Sequence, residues 1–208
     1  MIIHQDIHFP DKGGRLLLIE LKQTSSELLD AFSEDERQYL NACHAFNEKR
    51  KREFLGTRLA LKLIADTVNI SYLKNGKPYL ETKDFDLSIS HSGAYVAVAV
   101  HPTSLIGVDV ELNTPKIVNV YKRFLGKEEQ TYLFPDAQTE KIQIAWSAKE
   151  ALYKIIGNEV VDFAKGMKVI DFKLKDQGEI EAIQLNNNKS YRLYYFQTAV
   201  YTLVYCIA

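Results

Sequence analysis

Ile106-Gly107-Val108-Asp109-Val110-Glu111 and Trp146-Ser147-Ala148-Lys149-Glu150-Ala151-Leu152-Tyr153-Lys154 are the two stretches that decide how this chain is interpreted. In the first stretch, apolar residues alternate with Gly107, Asp109 and Glu111, which is the period of a β-strand with one buried face. We therefore predict a strand whose other face carries both carboxylates, with their Cα atoms roughly 6.5–7 Å apart.

The second stretch predicts a helix with a polar stripe. Ser147, Glu150 and Lys154 stand at positions i, i+3 and i+7, which share one face of an α-helix. If strand and helix pack together, three carboxylates and two lysines meet, and that set suits a hard divalent cation holding a phosphate. Taken alone, the first stretch is typical of a solvated strand face and the second of a surface ion pair. Their joint occurrence favours the site.

Length and composition describe an ordinary globular chain. Its 208 residues are 46% hydrophobic and 25% charged, enough for one domain or two small halves sharing a core. The formal net charge of −1 creates no global field that attracts nucleic acid. No stretch reaches the roughly 18 apolar residues of a membrane span, and the N-terminus is no signal peptide, so we expect a cytoplasmic protein. Cys43 and Cys206 have no zinc spacing and are expected to be buried free thiols.

The order of predicted elements repeats along the chain. In the first half we predict a strand over 14–22 and a helix over 33–46 that the capping box at Ser33 opens. A longer helix over 49–69 and a β-rich end over 87–100 follow. The second half reads similarly over 105–112, 125–133, 140–156 and 190–207, with Leu125 aligned to Phe32 at an offset of 93 residues. We predict an α+β fold of two similar halves, 1–101 and 102–208, packed as a pseudo-dimer with the active site at the seam.

Two further segments carry polar groups of interest. Lys51, Arg58 and Lys62 form one stripe of the longer helix in the first half. The stripe is compatible with a solvated amphipathic helix, or with an anion site in which arginine forks hold phosphate oxygens. Ser88-Ile89-Ser90-His91-Ser92-Gly93 offers hydroxyl and imidazole groups beside a glycine that permits close approach, and it is equally compatible with a polar turn.

Together these segments resemble the 4′-phosphopantetheinyl transferase family, of the monomeric surfactin-synthetase-activating type. Ile106 to Glu111 matches the family pattern (I/V)G(I/V)D(I/V)E, and Trp146 to Lys154 matches W(S/T)xKE(S/A)xxK. Accessory segments are similar to those of the family: Arg52 to Arg58, Lys77-Pro78-Tyr79, Ser88 to Ser92, and Leu125 to Glu129 with Gly126 where Ser is usual. The first 48 residues carry no family motif, and Ile155 to Glu159 diverge from it, which leaves the protein substrate open.

The resemblance implies a holo-[acyl-carrier-protein] synthase, which moves the 4′-phosphopantetheine arm of coenzyme A onto a serine of an apo acyl or peptidyl carrier protein and releases adenosine 3′,5′-bisphosphate. It implies Mg²⁺, or Mn²⁺, held by Asp109, Glu111 and Glu150, with Glu150 also the general base, directly or through a metal-bound water. Lys154 would neutralise charge on the leaving phosphate. Contacts to coenzyme A are expected from Arg52, Arg58, Lys77, Pro78, Ser90, His91, Lys149 and Lys154.

Other interpretations remain open at this point. A relative that binds coenzyme A or a carrier without turnover is disfavoured by the intact set of Asp109, Glu111, Glu150 and Lys154. A Mg²⁺-dependent phosphohydrolase would share the carboxylates but gives no role to the Lys77-Pro78 and Ser90-His91 segments. The sequence does not identify the carrier protein, which could belong to a fatty-acid, polyketide or peptide synthase. It does not determine the oligomeric state either, although the chain is nearly twice as long as the family's short trimeric class, which suggests a monomer.

Overall fold

The computed structural model describes residues 1–9, 13–81, 85–133, 139–157 and 162–208. The chain divides into two compact units, Met1–Leu105 and Ile106–Ala208, shortly after the boundary that we placed at 101/102. Each unit combines a β-sheet with one long helix, so the α+β class is confirmed.

Asn158 and Glu159, which belong to the segment that diverges from the family pattern, lie outside the described residues. Among the described helices, none has the length and apolar composition that a membrane span needs.

The first unit contains a four-stranded antiparallel sheet and a small hairpin. The sheet strands are β1 (Ile2–Phe9), β2 (Gly14–Glu20), β5 (Asp86–Ser92) and β6 (Tyr95–His101), and their order is β1-β2-β6-β5. The hairpin strands are β3 (Ser71–Tyr72) and β4 (Pro78–Tyr79). Gly76, which has a φ of +84°, makes the turn between them, as Asn75-Gly76 predicts. The helices are α1 (Ser25–Leu29), α2 (Glu34–Tyr39) and α3 (Glu48–Ala65).

The long helix α3 covers one face of this sheet. Alternate residues of β2 and β6, such as Leu17 and Val98, form one buried cluster with Leu55 of α3. The helix predicted from Ser33 to Phe46 is wrong beyond Tyr39, because a 3₁₀ turn follows over Asn41–Ala45. Leu40 and Cys43 are both buried and stand three residues apart, a spacing that the 3₁₀ turn places on one side.

The second unit contains a five-stranded antiparallel sheet. Its strands are β7 (Ile106–Leu112), β8 (Met167–Val169), β9 (Gln177–Gln184), β10 (Lys189–Gln197) and β11 (Tyr201–Ile207), in the order β7-β11-β10-β9-β8. Its helices are α4 (Lys127–Leu133), α5 (Thr139–Ile156) and α6 (Phe163–Gly166), with 3₁₀ turns over Pro115–Asn119 and Tyr121–Arg123. The strand predicted over 105–112 and the helix predicted over 140–156 are therefore confirmed.

Gly107 allows α5 to lie directly on β7. A Cβ atom at Gly107 would overlap the backbone carbonyl oxygen of Ala151, so no other residue fits without moving the helix. This approach turns Gly107, Asp109 and Glu111 towards α5. The opposite face of β7 is buried as well, since Val108 and Val110 are at most 1% exposed. The prediction of one buried face is thus wrong at Asp109, which is itself only 4% exposed.

The same capping device occurs in both units. Glu36 accepts a hydrogen bond from the backbone N–H three residues earlier at 2.7 Å, and Glu129 does the same at 2.7 Å. Each glutamate also pairs with a lysine of the long helix of its own unit. Lys62 Nζ lies 2.7 Å from Glu36, and Lys149 Nζ lies 2.7 Å from Glu129. The repetition seen in the sequence therefore extends to the local structure of each unit.

Candidate active site

Three carboxylates of the second unit share one electrostatic environment. Asp109 and Glu111 stand two residues apart on β7 and face α5, which carries Glu150. Burial raises the pKa of Glu150 to about 6, and the neighbouring Asp109 carboxylate raises it too, while the Lys154 ammonium acts in the opposite direction and Glu111 adds a smaller increase. Like charges disfavour one another's ionised form in this way only when they lie close. The Asp109 and Glu111 carboxylates therefore both act on the titration of Glu150.

Lys154 fixes the position of Asp109. Its Nζ atom donates to the backbone carbonyl of Val108 at 2.6 Å and lies 3.0 Å from Asp109 Oδ1. Lys154 follows Glu150 by four residues, so both side chains lie on the same stripe of α5. The stripe predicted from the sequence therefore places a cation beside the buried aspartate.

Trp146 contacts the second carboxylate of β7. Its indole Nε1 donates to Glu111 Oε1 at 3.4 Å, a long hydrogen bond. The indole packs edge-to-face on Phe124, with ring centroids 5.0 Å apart, and lies 5.8 Å from the ring of Phe163. Trp146 is therefore both an aromatic anchor and a contact that orients Glu111.

The donor set fits a hard divalent cation in chemical type. Asp109, Glu111 and Glu150 offer carboxylate oxygens, the ligands that Mg²⁺ prefers. Bound Mg²⁺ would offset the repulsion from Asp109 and Glu111 that, after burial, raises the pKa of Glu150. Within the part of the chain that the structure describes, no three His, Cys, Asp or Glu side chains converge into a preformed metal site. The three-ligand set thus stays a prediction.

Lys149 does not belong to this site, and its predicted contact with coenzyme A is wrong. Its side chain is fully buried and points away from β7, since successive helical residues are turned by about 100°. Its ammonium has four acceptors, namely the backbone carbonyls of Phe124, Phe163 and Met167, at 2.7, 3.1 and 2.7 Å, and the carboxylate of Glu129 at 2.7 Å. These acceptors use all three N–H groups, so none is left for a phosphate.

A cleft of about 890 Å³ opens beside Glu150. Phe124, Trp146 and Phe163 line it with aromatic rings, and Lys122 and Arg123 add positive charge. Such a cleft can hold an uncharged chain that ends in an anionic group. The aromatic rings other than Trp146 were missed in the sequence because they come from separate segments with no common spacing.

The arginines predicted to bind phosphate lie on α3 in the first unit. Arg58 is 6% exposed, and its guanidinium stacks 3.4 Å from the centroid of the Phe54 ring, while burial lowers its pKa. The guanidinium thus packs against its own helix, and its predicted contact with phosphate stays a prediction. Arg52 is partly exposed and donates to the backbone carbonyl of Leu21 at 2.5 Å, so its predicted role stays open.

The remaining predicted contacts of the first unit lie around β5. His91 is exposed, with Nδ1 3.7 Å from Glu53 and Nε2 3.4 Å from Arg50, two residues of α3 that the sequence did not single out. Ser90, the preceding residue on the strand, is buried and faces the other side of the sheet. Lys77 pairs with Asp86 at 2.7 Å, and Pro78 lies in the adjacent strand β4. The structure thus brings His91 to the start of α3 and Lys77 to the start of β5.

Comparison with known proteins points to one family. Residues 105–206 match the model of the 4'-phosphopantetheinyl transferase superfamily. The chain is 34% identical over 113 residues to a 4'-phosphopantetheinyl transferase of Bacillus subtilis, which covers 50% of this chain and 47% of the relative. It is 29% identical over 147 residues to 4'-phosphopantetheinyl transferase Sfp of Bacillus subtilis (strain 168), covering 64% of each. It is also 29% identical over 137 residues to the human L-aminoadipate-semialdehyde dehydrogenase-phosphopantetheinyl transferase, covering 54% of this chain and 44% of the relative.

The matched part spans between 44% and 64% of the length of these relatives. The family match covers both stretches from which the interpretation began, the Asp109 strand and the Glu150 helix. The resemblance seen in the sequence is therefore confirmed, and residues 105–206 match the 4'-phosphopantetheinyl transferase superfamily.

Proposed function

We propose that this chain transfers the 4′-phosphopantetheine arm of coenzyme A to a serine of an apo acyl or peptidyl carrier protein. The observation that carries the proposal is Glu150, a carboxyl with a pKa of about 6 that lies beside Asp109 and opens onto the aromatic cleft. The family match of residues 105–206 and the names of the matched relatives support the same reaction.

Glu150 has the properties of a general base for this transfer. The serine Oγ attacks the phosphorus that bears the arm, the P–O bond to adenosine 3′,5′-bisphosphate breaks with its electron pair, and Glu150 takes the serine proton. In the metal-free site the pKa of Glu150 is about 6, which makes its carboxylate a better proton acceptor than one with an ordinary pKa. The apolar cleft beside it would hold the pantetheine chain, and Lys122 and Arg123 would attract an acidic partner.

Asp109, Glu111 and Glu150 are the residues that would hold Mg²⁺ or Mn²⁺. The bound cation would polarise the phosphoryl oxygen and neutralise developing charge. Lys154 keeps Asp109 turned towards α5 and would add positive charge near the leaving phosphate. Trp146 holds Glu111 by its indole N–H. Each of these residues therefore acts by positioning and charge, on which phosphoryl transfers chiefly depend.

We further propose that the two halves pack as a pseudo-dimer, with the site at their seam and one monomer as the functional unit. The repeated order of elements and the shared capping device support this arrangement. In it, the first half would contribute Arg52, Lys77, Pro78, Ser90 and His91 to the nucleotide of coenzyme A. The second half would contribute the metal ligands and the catalytic helix α5.

The test is a transfer reaction followed by intact-protein mass spectrometry. The purified chain, Mg²⁺, coenzyme A and a panel of apo carrier proteins are mixed, and each carrier is expected to gain one phosphopantetheine group where it is a substrate. The Glu150→Gln variant should lose transfer but keep most of its affinity for coenzyme A. Glu140→Gln, an exposed change on the same helix, is the matched control.

Two outcomes would contradict the proposal. Binding of coenzyme A without labelling of any carrier would identify a non-catalytic relative. Release of phosphate from coenzyme A without labelling would identify a phosphohydrolase. Full activity of Glu150→Gln would remove Glu150 from the mechanism while leaving the reaction itself in place.

A further inference from the structure

A second, smaller cleft lies at the end of β7. Its volume is about 230 Å³, and its apolar walls are Leu112, Ile117 and Val120. Trp146 and Val120 line both this cleft and the larger one beside Glu150, so the two adjoin. Its volume is below the range of about 300–1,000 Å³ that encloses a whole small ligand. The small cleft therefore suits one side chain or a short piece of a longer substrate.

Gln143 lines this cleft with an unmet hydrogen-bond acceptor. The residue is 2% exposed, and its Oε1 atom accepts no hydrogen bond from any described residue. Buried side-chain acceptors nearly always have a partner in folded proteins, and leaving one unmet costs stability. Gln143 precedes Trp146 by three residues and lies outside the pattern that begins at Trp146. A ligand that donates a hydrogen bond to Gln143 Oε1 would explain why this buried acceptor has no donor among the described residues.

The polar groups of the small cleft select a particular kind of donor. Glu111 presents a carboxylate and Gln143 a carbonyl oxygen, while Thr114 Oγ1 already accepts from the backbone N–H of Lys116 at 3.3 Å. None of the described residues that line the cleft is Lys, Arg or His, so a phosphate finds no positive charge. A cationic group would compete with the metal ion proposed at Glu111. An uncharged hydroxyl or amide N–H fits best.

We propose that Gln143 is a specificity-determining residue, whose Oε1 accepts a hydrogen bond from an uncharged hydroxyl or amide N–H of a substrate segment seated between Trp146 and the end of β7. This inference rests on the proposed function. Both reactants of that function carry such donors: the pantetheine arm has amides and a hydroxyl, and the carrier segment has backbone amides and its serine. The experiment distinguishes the two sources.

The test compares Gln143→Met with the unmodified protein. Methionine has a similar length and no acceptor oxygen. Gln23→Met is the matched control, because Gln23 Oε1 is also buried without a partner among the described residues and lines neither cleft. Three quantities are measured: the Tm of the ligand-free protein, the Kd of coenzyme A with Mg²⁺ by calorimetry, and the KM for an apo carrier protein.

Gln143→Met is expected to raise one of the two binding quantities about 3- to 10-fold, the effect of one lost hydrogen bond. The Tm of the free protein should stay unchanged or rise, because an unmet buried acceptor has been removed. A purely structural glutamine would show the reverse. Gln23→Met should leave both binding quantities within twofold. A rise in the Kd of coenzyme A assigns the donor to the pantetheine arm, and a rise in the carrier KM alone assigns it to the carrier.

The inference is overturned if the Kd of coenzyme A and the carrier KM both stay within twofold, whether or not the Tm falls. The proposed function fails on a different result, namely no carrier labelling by the unmodified protein. In that case the titration of coenzyme A remains the test of Gln143, and an unchanged Kd overturns the inference as well.

Discussion

Lys149 Nζ lies 2.7 Å from Glu129 Oε2 in the interior of the second unit, and neither side chain is more than 2% exposed. The same ammonium donates to the backbone carbonyls of Phe124 and Phe163, whose rings line the cleft beside Glu150. The buried pair therefore connects α5 with the two segments that form the aromatic walls. Lys149 shapes the cleft without facing it.

Lys149→Met should lower the free energy of unfolding by about 3–5 kcal/mol, because the substitution leaves the Glu129 carboxylate buried without its cation. Urea denaturation measures the effect. Lys165→Met is the control, since the Lys165 side chain is 86% exposed and its loss should cost at most about 0.5 kcal/mol. Equal stability of the two variants would show that the buried pair contributes little.

Much of the site could be predicted because its residues follow the periods of regular structure. The alternation from Ile106 to Glu111 predicts β7, and the spacing of Glu150 and Lys154 predicts one face of α5. Ser33 and Glu36 predict a cap that forms with both of its hydrogen bonds. Each of these features depends only on the spacing of residues within one strand or one helix, so the sequence alone is enough to predict it.

The errors concern packing that the spacing of residues along the chain does not reveal. Lys149 could be expected to point away from Glu150, but its partner Glu129 is 20 residues earlier, so a phosphate was expected in its place. Arg58 was assigned to an exposed basic stripe, whereas stacking on Phe54 draws it into the unit. Strand β1 was missed because it lies at the edge of its sheet, where Ile2 and Ile3 are both exposed and no apolar alternation marks it.

Gly107→Ala should destabilise the second unit, because the added methyl group would overlap the carbonyl oxygen of Ala151 and push α5 away from β7. Overpacking of this kind costs about 1–3 kcal/mol. Thermal unfolding measures the loss. Adding Ala151→Gly should give no recovery, since the overlap is with backbone. Recovery in the double variant would show that the side chain of Ala151, and not its carbonyl, limits the approach.

Glu150 should make the metal-free protein less stable as the pH rises. Its pKa is raised from 4.5 to about 6 in the folded state, so between these values the folded chain binds more protons than the unfolded chain. The free energy of unfolding therefore falls across that window and stays lower above it. Urea denaturation in EDTA should show the fall in the unmodified protein and a smaller one in Glu150→Gln. Glu140→Gln, the exposed control, should follow the unmodified protein. Parallel curves for all three proteins would contradict the raised pKa.

Lys154→Met should raise the pKa of Glu150 further, since the Lys154 ammonium is the cation that opposes the effects of burial and of Asp109. Carboxyl ¹³C NMR titration of the metal-free protein measures the shift, with Glu150→Gln identifying the resonance. Lys141→Met on the same helix is the control, because Lys141 pairs with Asp171 and is not among the groups that shift Glu150. Lys154→Met also removes the contact to Asp109 Oδ1, so affinity for Mg²⁺ is expected to change together with the pKa. An unchanged titration of Glu150 in Lys154→Met would mean that the ammonium does not act on the Glu150 carboxyl, and the role of Lys154 would be confined to holding β7 against α5.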